Sequence, residues 1–246
     1  MTIHWANFGR KTFLEDSLID MNVPRLIFIV EGDCEQRFIN EHLIKYLSYK
    51  FPGTSMHAQK ITTNRKKHVK GGNIDYPLFK NELQRTAAQG GVLITTFMDF
   101  FRLPTDFPGY SLDARMIDHI EDAIRMDCRD VVIPEFFLPY IQKHEFETLL
   151  FANYLGFAGI VNEKQQQKIL DIVQDKKFST PEDINGGQET APSKRLLSIF
   201  NYRKVLDSAL ALKNVDIDTL RGRCPRFDLW VDRLECALGT GHYVVE

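Results

Sequence analysis

LIFIVEGDCEQRF, residues 26–38, is the stretch whose reading decides the fold. Its first half, Leu26 to Val30, is an unbroken apolar run rich in β-branched residues, the pattern of a strand buried on both faces of a parallel sheet. Helical spacing takes over at once: Cys34, Phe38, Ile39, Leu43, Tyr46 and Leu47 recur on one face through the following residues. Asp33 with Gln36 three residues later predicts a capping box, and Gly32 permits a close approach of other atoms to the turn. A core strand therefore ends at Glu31-Gly32 and the chain turns sharply into an amphipathic helix.

Working outward, the same alternation recurs. Residues 58–76 read as a basic loop with room for a short strand, and 77–89, opening on Pro77, as a helix. Residues 92–98 (VLITTFM) are a second buried strand stopping at Asp99, followed by a Pro/Gly loop, a helix over 113–126 and a strand over 130–142 broken by Pro134 and Pro139. Helical spacing resumes at 144–152 and dominates from about 160, in 162–174, 192–212 and 225–238. Strands alternating with helices predict an α/β three-layer sandwich with a central, mostly parallel sheet and a helical C-terminal part. The expected division is a leader over 1–24, the α/β domain over 25–158 and helices over 159–246 packed on that same domain.

Composition excludes several classes. With 246 residues, 43% of them hydrophobic, the chain is long enough for one full core, and 15 Gly and 10 Pro rule out collagen-like or low-complexity readings. A net charge of -2 excludes a polycation, so any nucleic-acid contact must come from a local patch. The four cysteines stand apart with no CxxC pair, which argues against a zinc finger and a disulfide scaffold. No apolar run is long enough to span a bilayer, and the first residues lack the core of a signal peptide, so a cytoplasmic setting is expected.

In a parallel α/β sheet, functional groups gather at the carboxyl ends of the strands. Glu31 and Asp99 fall at such ends, Glu145 and Glu147 follow the strand ending near Gln142, and Glu35 lies one helical turn past Glu31. Carboxylates sharing a crevice need a counter-charge, and hard oxygen donors favour Mg²⁺ or Mn²⁺, which can align a water and a phosphate for displacement. Each of these acids also has an ordinary reading as a helix-dipole partner or a solvated side chain. His144 reads either as a ligand, phosphate contact or general acid, or simply as a polar helix opener. Glu189, Lys194 and Arg195 near a helix start suit an anion, or else a capped loop. Lys66, Lys67, His68 and Lys70 form a basic run that tracks a phosphate backbone or is merely solvated.

With these residues in view, IFIVEGDCEQRF resembles the first motif of the Toprim fold of topoisomerases, primases and overcoming-lysogenization-defect (OLD) nucleases. More closely, six blocks in order resemble the bacterial domain-of-unknown-function family 4276: IFIVEGDCEQRF, KGGNIDYPLF, TTFMDFFRLPTDFPGY, LPYIQKHEFETLLF, ETAPSKRL and CPRFDLWVDRLE. They span about residues 25–236.

The resemblance implies a Toprim-like nuclease subunit beside an AAA/ABC-type ATPase, as in two-component antiphage defence. It assigns Mg²⁺ or Mn²⁺ to Glu31, Glu35 and Asp99, with Glu145, Glu147 and Glu189 as candidates for a second metal position. Lys194 is expected to stabilise phosphate charge and His144 to orient water or touch substrate. Lys66, Lys67, Lys70, Arg102 and Arg195 are expected to contact nucleic acid, DNA in preference to RNA. One departure stands out: the Toprim DxD is here Asp99-Phe100-Phe101, with Asp106 further along the loop as a substitute. The alternatives are a non-catalytic docking subunit of an ATPase complex and a metal-dependent nucleotide phosphohydrolase. Self-association is compatible with all three. The leader is read either as a real extension or as sequence upstream of a true start at Met21.

Overall fold

A computed structural model describes residues 25–64, 69–70, 74–185 and 187–243. The leader over 1–24 and the basic residues Lys66, Lys67 and His68 lie outside the described residues.

Strand β1 (Arg25–Val30) runs straight into α1 (Asp33–Phe38), a π-turn over Ile39–Leu43 and α2 (Ile44–Lys50). The expected capping box does not form: Gly32 is the N-cap and contributes no side chain, while Asp33 is ion-paired with Lys60 and the Gln36 amide donates to the Ala58 carbonyl at 2.9 Å. Both contacts reach the next strand, β2 (Ser55–Lys60), which pairs parallel with β1. Tertiary contacts thus claim the side chains that local spacing assigned to the helix end.

β3 (Thr62–Asn64) and β4 (Val69–Lys70) form a small antiparallel pair, so the segment read as a basic loop supplies the end of β2 and this ribbon. α3 (Tyr76–Ala87) returns the chain to β5 (Val92–Asp99), which lies parallel to β1 on the side opposite β2. α4 (Ile117–Asp127) follows. The fourth position of the sheet is shared by two short strands, β6 (Phe137–Leu138) and β7 (Ile141–Gln142), both parallel to β5. The long strand expected over 130–142 is thereby cut to two pairs of residues, its first part being 3-10 turns around Cys128–Asp130 and Pro134–Phe136. Pro139 cannot donate to the ladder. The Thr96 hydroxyl fills the gap, accepting from the Tyr140 N–H at 2.7 Å and lying 2.8 Å from its carbonyl.

The rest is helical: α5 (Thr148–Ala152), α6 (Glu163–Val173), α7 (Pro192–Ile199), α8 (Lys204–Ala211), α9 (Ile217–Arg223) and α10 (Pro225–Thr240). The stretch 192–212, read as one helix, is two. Phe200 is extended, and Asp207 folds back to accept the Arg203 N–H at 2.6 Å, so α8 starts afresh at Lys204.

Alternation along β1 sorts the two cores. Leu26, Phe28 and Val30 face α1, α2, α5 and the C-terminal helices, including Trp230 and Leu234 of α10. Ile27 and Ile29 face α3 and α4 through Phe79, Leu83, Ile120 and Ile124. A mostly parallel sheet between two helical layers is therefore the architecture, as an α/β sandwich with a helical C-terminal part. No helix among the described residues is long and apolar enough to cross a membrane.

Candidate functional site

The β1–β5 register sets Val30 opposite Phe97, so both strands end at the same edge of the sheet and deliver Glu31 and Asp99 side by side. The Asp99 backbone N–H bonds the Glu31 carboxylate, closing the two ends together. Asp99 shares a sheet face with Leu93 and Phe97, so it points toward the C-terminal helices. Its Oδ1 accepts the Phe146 N–H at 2.8 Å, which fixes the segment that follows β7. Two residues before Phe146, His144 takes a left-handed conformation (φ 66), and its carbonyl accepts the Phe101 N–H at 3.0 Å. These bonds turn the chain so that Glu147 enters the same interior.

Glu35 arrives from the first turn of α1. A β-carbon placed on Gly32 would stand 2.7 Å from Glu35 Oε2, closer than such atoms ever approach. The backbone of Gly32 is ordinary extended chain (φ -139), so glycine matters here for the space it leaves the Glu35 carboxylate, not for conformation.

At the centre of these acids lies Lys204, the first residue of α8. Its Nζ is 3.3 Å from Glu35 Oε1, 3.5 Å from Asp99 Oδ2 and 3.5 Å from Glu147 Oε2. Glu35, Asp99 and Glu147 are almost wholly buried, whereas the Lys204 side chain keeps 30% of its surface exposed. Glu147 Oε1 accepts the Tyr202 hydroxyl at 3.3 Å, but Oε2 is buried without any hydrogen-bond partner.

The electrostatics follow from crowding. Burial pushes the Glu31 carboxyl up to about 7, Glu35 adds to the rise, and Arg102 and Lys204 oppose it. Burial likewise raises Asp99 and Glu147, against the pull of Lys204. Burial alone would lower the Lys204 ammonium, but Asp99, Glu147 and Glu35 overcome it and hold the group charged. The site contains more acid than one ammonium can balance.

The remaining sequence-predicted residues have other partners. Both oxygens of Glu145 are taken by Ser193, its N–H at 2.9 Å and its hydroxyl at 3.0 Å, which pins the start of α7. His144 is buried, its Nδ1 3.2 Å from the Asn185 amide nitrogen, its ring bonded to the Glu182 carbonyl and its pKa lowered to about 4, mainly by burial. Its ring also packs on Phe101, centroids 5.3 Å apart, so the position that the Toprim resemblance expects to be acidic belongs to an aromatic pair. Asp106 has a partner of its own: its carboxylate accepts the Tyr76 N–H at 2.9 Å at the start of α3.

Glu189 and Lys194 are exposed on the stretch leading into α7 and its first turn. Arg195 donates to the Thr190 carbonyl at 2.8 Å and lies over the Phe178 ring. Arg102 is exposed and close enough to influence Glu31. Lys70 is described only as backbone in β4. The residue that sequence reasoning missed is Lys204. It sits inside a stretch of helical spacing, where a lysine reads as solvated, and no Pro or Gly marks the break before it.

Oxygen donors, a surplus of negative charge and an orphaned buried carboxylate oxygen suit a hard divalent cation. Among the described residues, however, no three His, Cys, Asp or Glu side chains are already arranged around a metal position; the Lys204 ammonium lies there instead. Glu31, Glu35, Asp99 and Glu147 are the side chains that would hold Mg²⁺ or Mn²⁺.

No characterised protein and no solved structure matches the chain. Its own residues 30–235, which include every member of the carboxylate–ammonium cluster, match one family throughout, and the chain belongs to that family, the domain of unknown function DUF4276.

Proposed function

We propose that this protein is a divalent-metal-dependent nuclease of the Toprim type, the effector subunit of an ATPase-coupled antiphage defence system. One observation carries the reading: Glu35, Asp99 and Glu147 converge on a single cationic point at the carboxyl edge of a parallel sheet, with one buried carboxylate oxygen left over. Buried acids at such an edge are costly to keep unless they serve a cation or a proton transfer. The Toprim resemblance of residues 27–38 supplies the reaction class, and Mg²⁺ or Mn²⁺ would supply the Lewis acidity for phosphodiester cleavage.

In this reading Glu31, Glu35, Asp99 and Glu147 bind the cation, and Gly32 gives Glu35 room. Glu145 and His144 are positioning residues that shape the wall of the site. Arg102, exposed beside Glu31, is placed to meet a substrate phosphate, and DNA is the preferred polymer.

A second reading has its own observation. Lys204 neutralises part of the cluster without any metal, and Phe101 replaces an acid, which suits a docking subunit that keeps the fold without turnover. The deciding experiment incubates the protein, alone and with an AAA/ABC-type ATPase encoded beside it, with plasmid, single-stranded DNA, RNA and nucleotides in Mn²⁺ or Mg²⁺. A Glu35→Gln, Asp99→Asn variant runs alongside. Polymer cleavage that the double variant abolishes supports the nuclease. Cleavage that survives it removes the site from the reaction, turnover confined to nucleotides favours a phosphohydrolase, and inactivity throughout favours docking.

A further inference from the structure

The ammonium of Lys204 occupies the point on which the carboxylates converge. Its distances to Glu35, Asp99 and Glu147 differ by only 0.2 Å, from 3.3 to 3.5 Å, so it serves all three and makes a close hydrogen bond to none. Glu147 is fully buried, and its Oε2 has no hydrogen-bond donor even with that ammonium beside it. A single positive charge thus stands among more carboxylates than it can satisfy.

The way out is built in. The Lys204 side chain is 30% exposed, so part of it already touches solvent. The backbone around it is anchored independently: Asp207 accepts the Arg203 N–H at 2.6 Å and pairs with the Arg203 guanidinium at 2.8 Å. A lysine carries its charge on a flexible four-carbon stem, so the ammonium can swing out without unwinding α8.

We propose that Lys204 is an internal placeholder for the metal. Its ammonium holds Glu35, Asp99 and Glu147 assembled in the metal-free protein, and a divalent cation enters by displacing it into solvent. This inference rests on the divalent-metal reading of the site. A dication and an ammonium cannot share one point, and two charges on a small ion meet the surplus acid better than one charge on a large one. The lock has two consequences: it keeps the cluster from repelling itself apart, and it lowers apparent metal affinity by the fraction of molecules in which the ammonium is in place.

The test uses the full-length chain and Mn²⁺ itself, read by calorimetry and by the paramagnetic resonance of free Mn²⁺, with no activity assay. Lys204→Met keeps the stem and removes the charge. With the locked form dominant, the variant is expected to bind Mn²⁺ about tenfold more tightly or better than wild type. In EDTA its unfolding midpoint is expected to fall, and Mn²⁺ to raise that midpoint more than it does in wild type. A second measurement needs no variant: acetic anhydride labelling of wild-type lysines, read by mass spectrometry, in EDTA and in saturating Mn²⁺. Lys204 is expected to be slow to label in EDTA and to label several-fold faster with Mn²⁺.

Equal or weaker Mn²⁺ binding by Lys204→Met, with wild type binding normally, overturns the placeholder and leaves the metal reading intact. Binding by neither protein overturns both. Should the variant not fold, the labelling decides alone, since Lys204 protection unchanged by Mn²⁺ means that no displacement occurs.

Discussion

Asp99 divides its carboxylate between two tasks: Oδ1 accepts the Phe146 N–H at 2.8 Å, while Oδ2 lies 3.5 Å from the Lys204 ammonium. One oxygen builds the wall of the site and the other belongs to its charge cluster. The two tasks separate under substitution. Asp99→Asn keeps an oxygen for Phe146 and is expected to unfold within about 1 kcal/mol of wild type, whereas Asp99→Ala leaves a buried N–H unpaired and is expected to cost a further ~1–3 kcal/mol. Both variants are expected to lose Mn²⁺ binding. Urea denaturation beside calorimetry checks this, and equal stability of the two variants would show that the Phe146 contact has no structural role.

Gly32→Ala puts a methyl group where Glu35 Oε2 now stands, 2.7 Å away. The backbone there tolerates alanine, so the protein is expected to fold with little loss of stability while Glu35 is pushed aside. Mn²⁺ affinity should fall several-fold. An unaltered affinity would place Glu35 outside the ligand set.

The pKa of Glu31, raised to about 7, makes stability depend on pH in a definite direction. Between the ordinary carboxyl value of about 4.5 and about 7, the folded state holds a proton that the unfolded state has lost, so this contribution to stability declines as pH rises through that window. His144, lowered to about 4, acts oppositely, losing stability as pH falls from about 6.5 toward 4. Comparison isolates Glu31: the stability of Glu31→Gln relative to metal-free wild type is expected to increase from pH 4.5 to pH 7 and then level off. A pH-independent difference in chemical denaturation would mean that Glu31 titrates normally.

Phe101→Asp supplies the second acid that the Toprim resemblance leads one to expect, at a position already 36% exposed. It removes the ring packed on His144, at an expected cost of about 1 kcal/mol. In exchange Mn²⁺ affinity is expected to rise. No gain in titration calorimetry would show that position 101 points away from the cation.

Arg226 ties α10 to the sheet through Glu121, whose carboxylate also accepts the Ile141 N–H at 2.6 Å. Arg226→Met leaves that buried acid without its counter-charge and is expected to destabilise the fold by about 3–5 kcal/mol. Thermal unfolding gives the readout, and a loss under 1 kcal/mol would mean that Glu121 simply takes up a proton.

The strand ends, and with them Glu31 and Asp99, were legible because periodicity reports burial, and the Ile- and Val-rich run before Glu31 has only one comfortable home. Glu35 followed from its place one helical turn past Glu31 together with the resemblance of that motif. The distinction among later acids was not legible. Glu145 and Glu182 are buried like Glu147, though less completely, yet each is consumed by donors at a helix start: Ser193 for the first, the Arg226 and Phe227 N–H groups for the second. Those donors come from far along the chain, and spacing cannot reveal them. Lys204 was hidden for the same reason, since its meaning depends on the helix break that Asp207 creates, and Asp207 lies inside the helix that it starts.

The separation of Lys204 from Glu35 and Asp99 along the polypeptide also bears on biosynthesis. A ribosome delivers the acids of the first strands long before the lysine that neutralises them, and Glu147 emerges in between. Until residue 204 has been translated, the nascent sheet edge carries acids without that lysine and lacks the helices from α8 onward. Truncation before residue 204 would therefore leave the acids without their counter-ion.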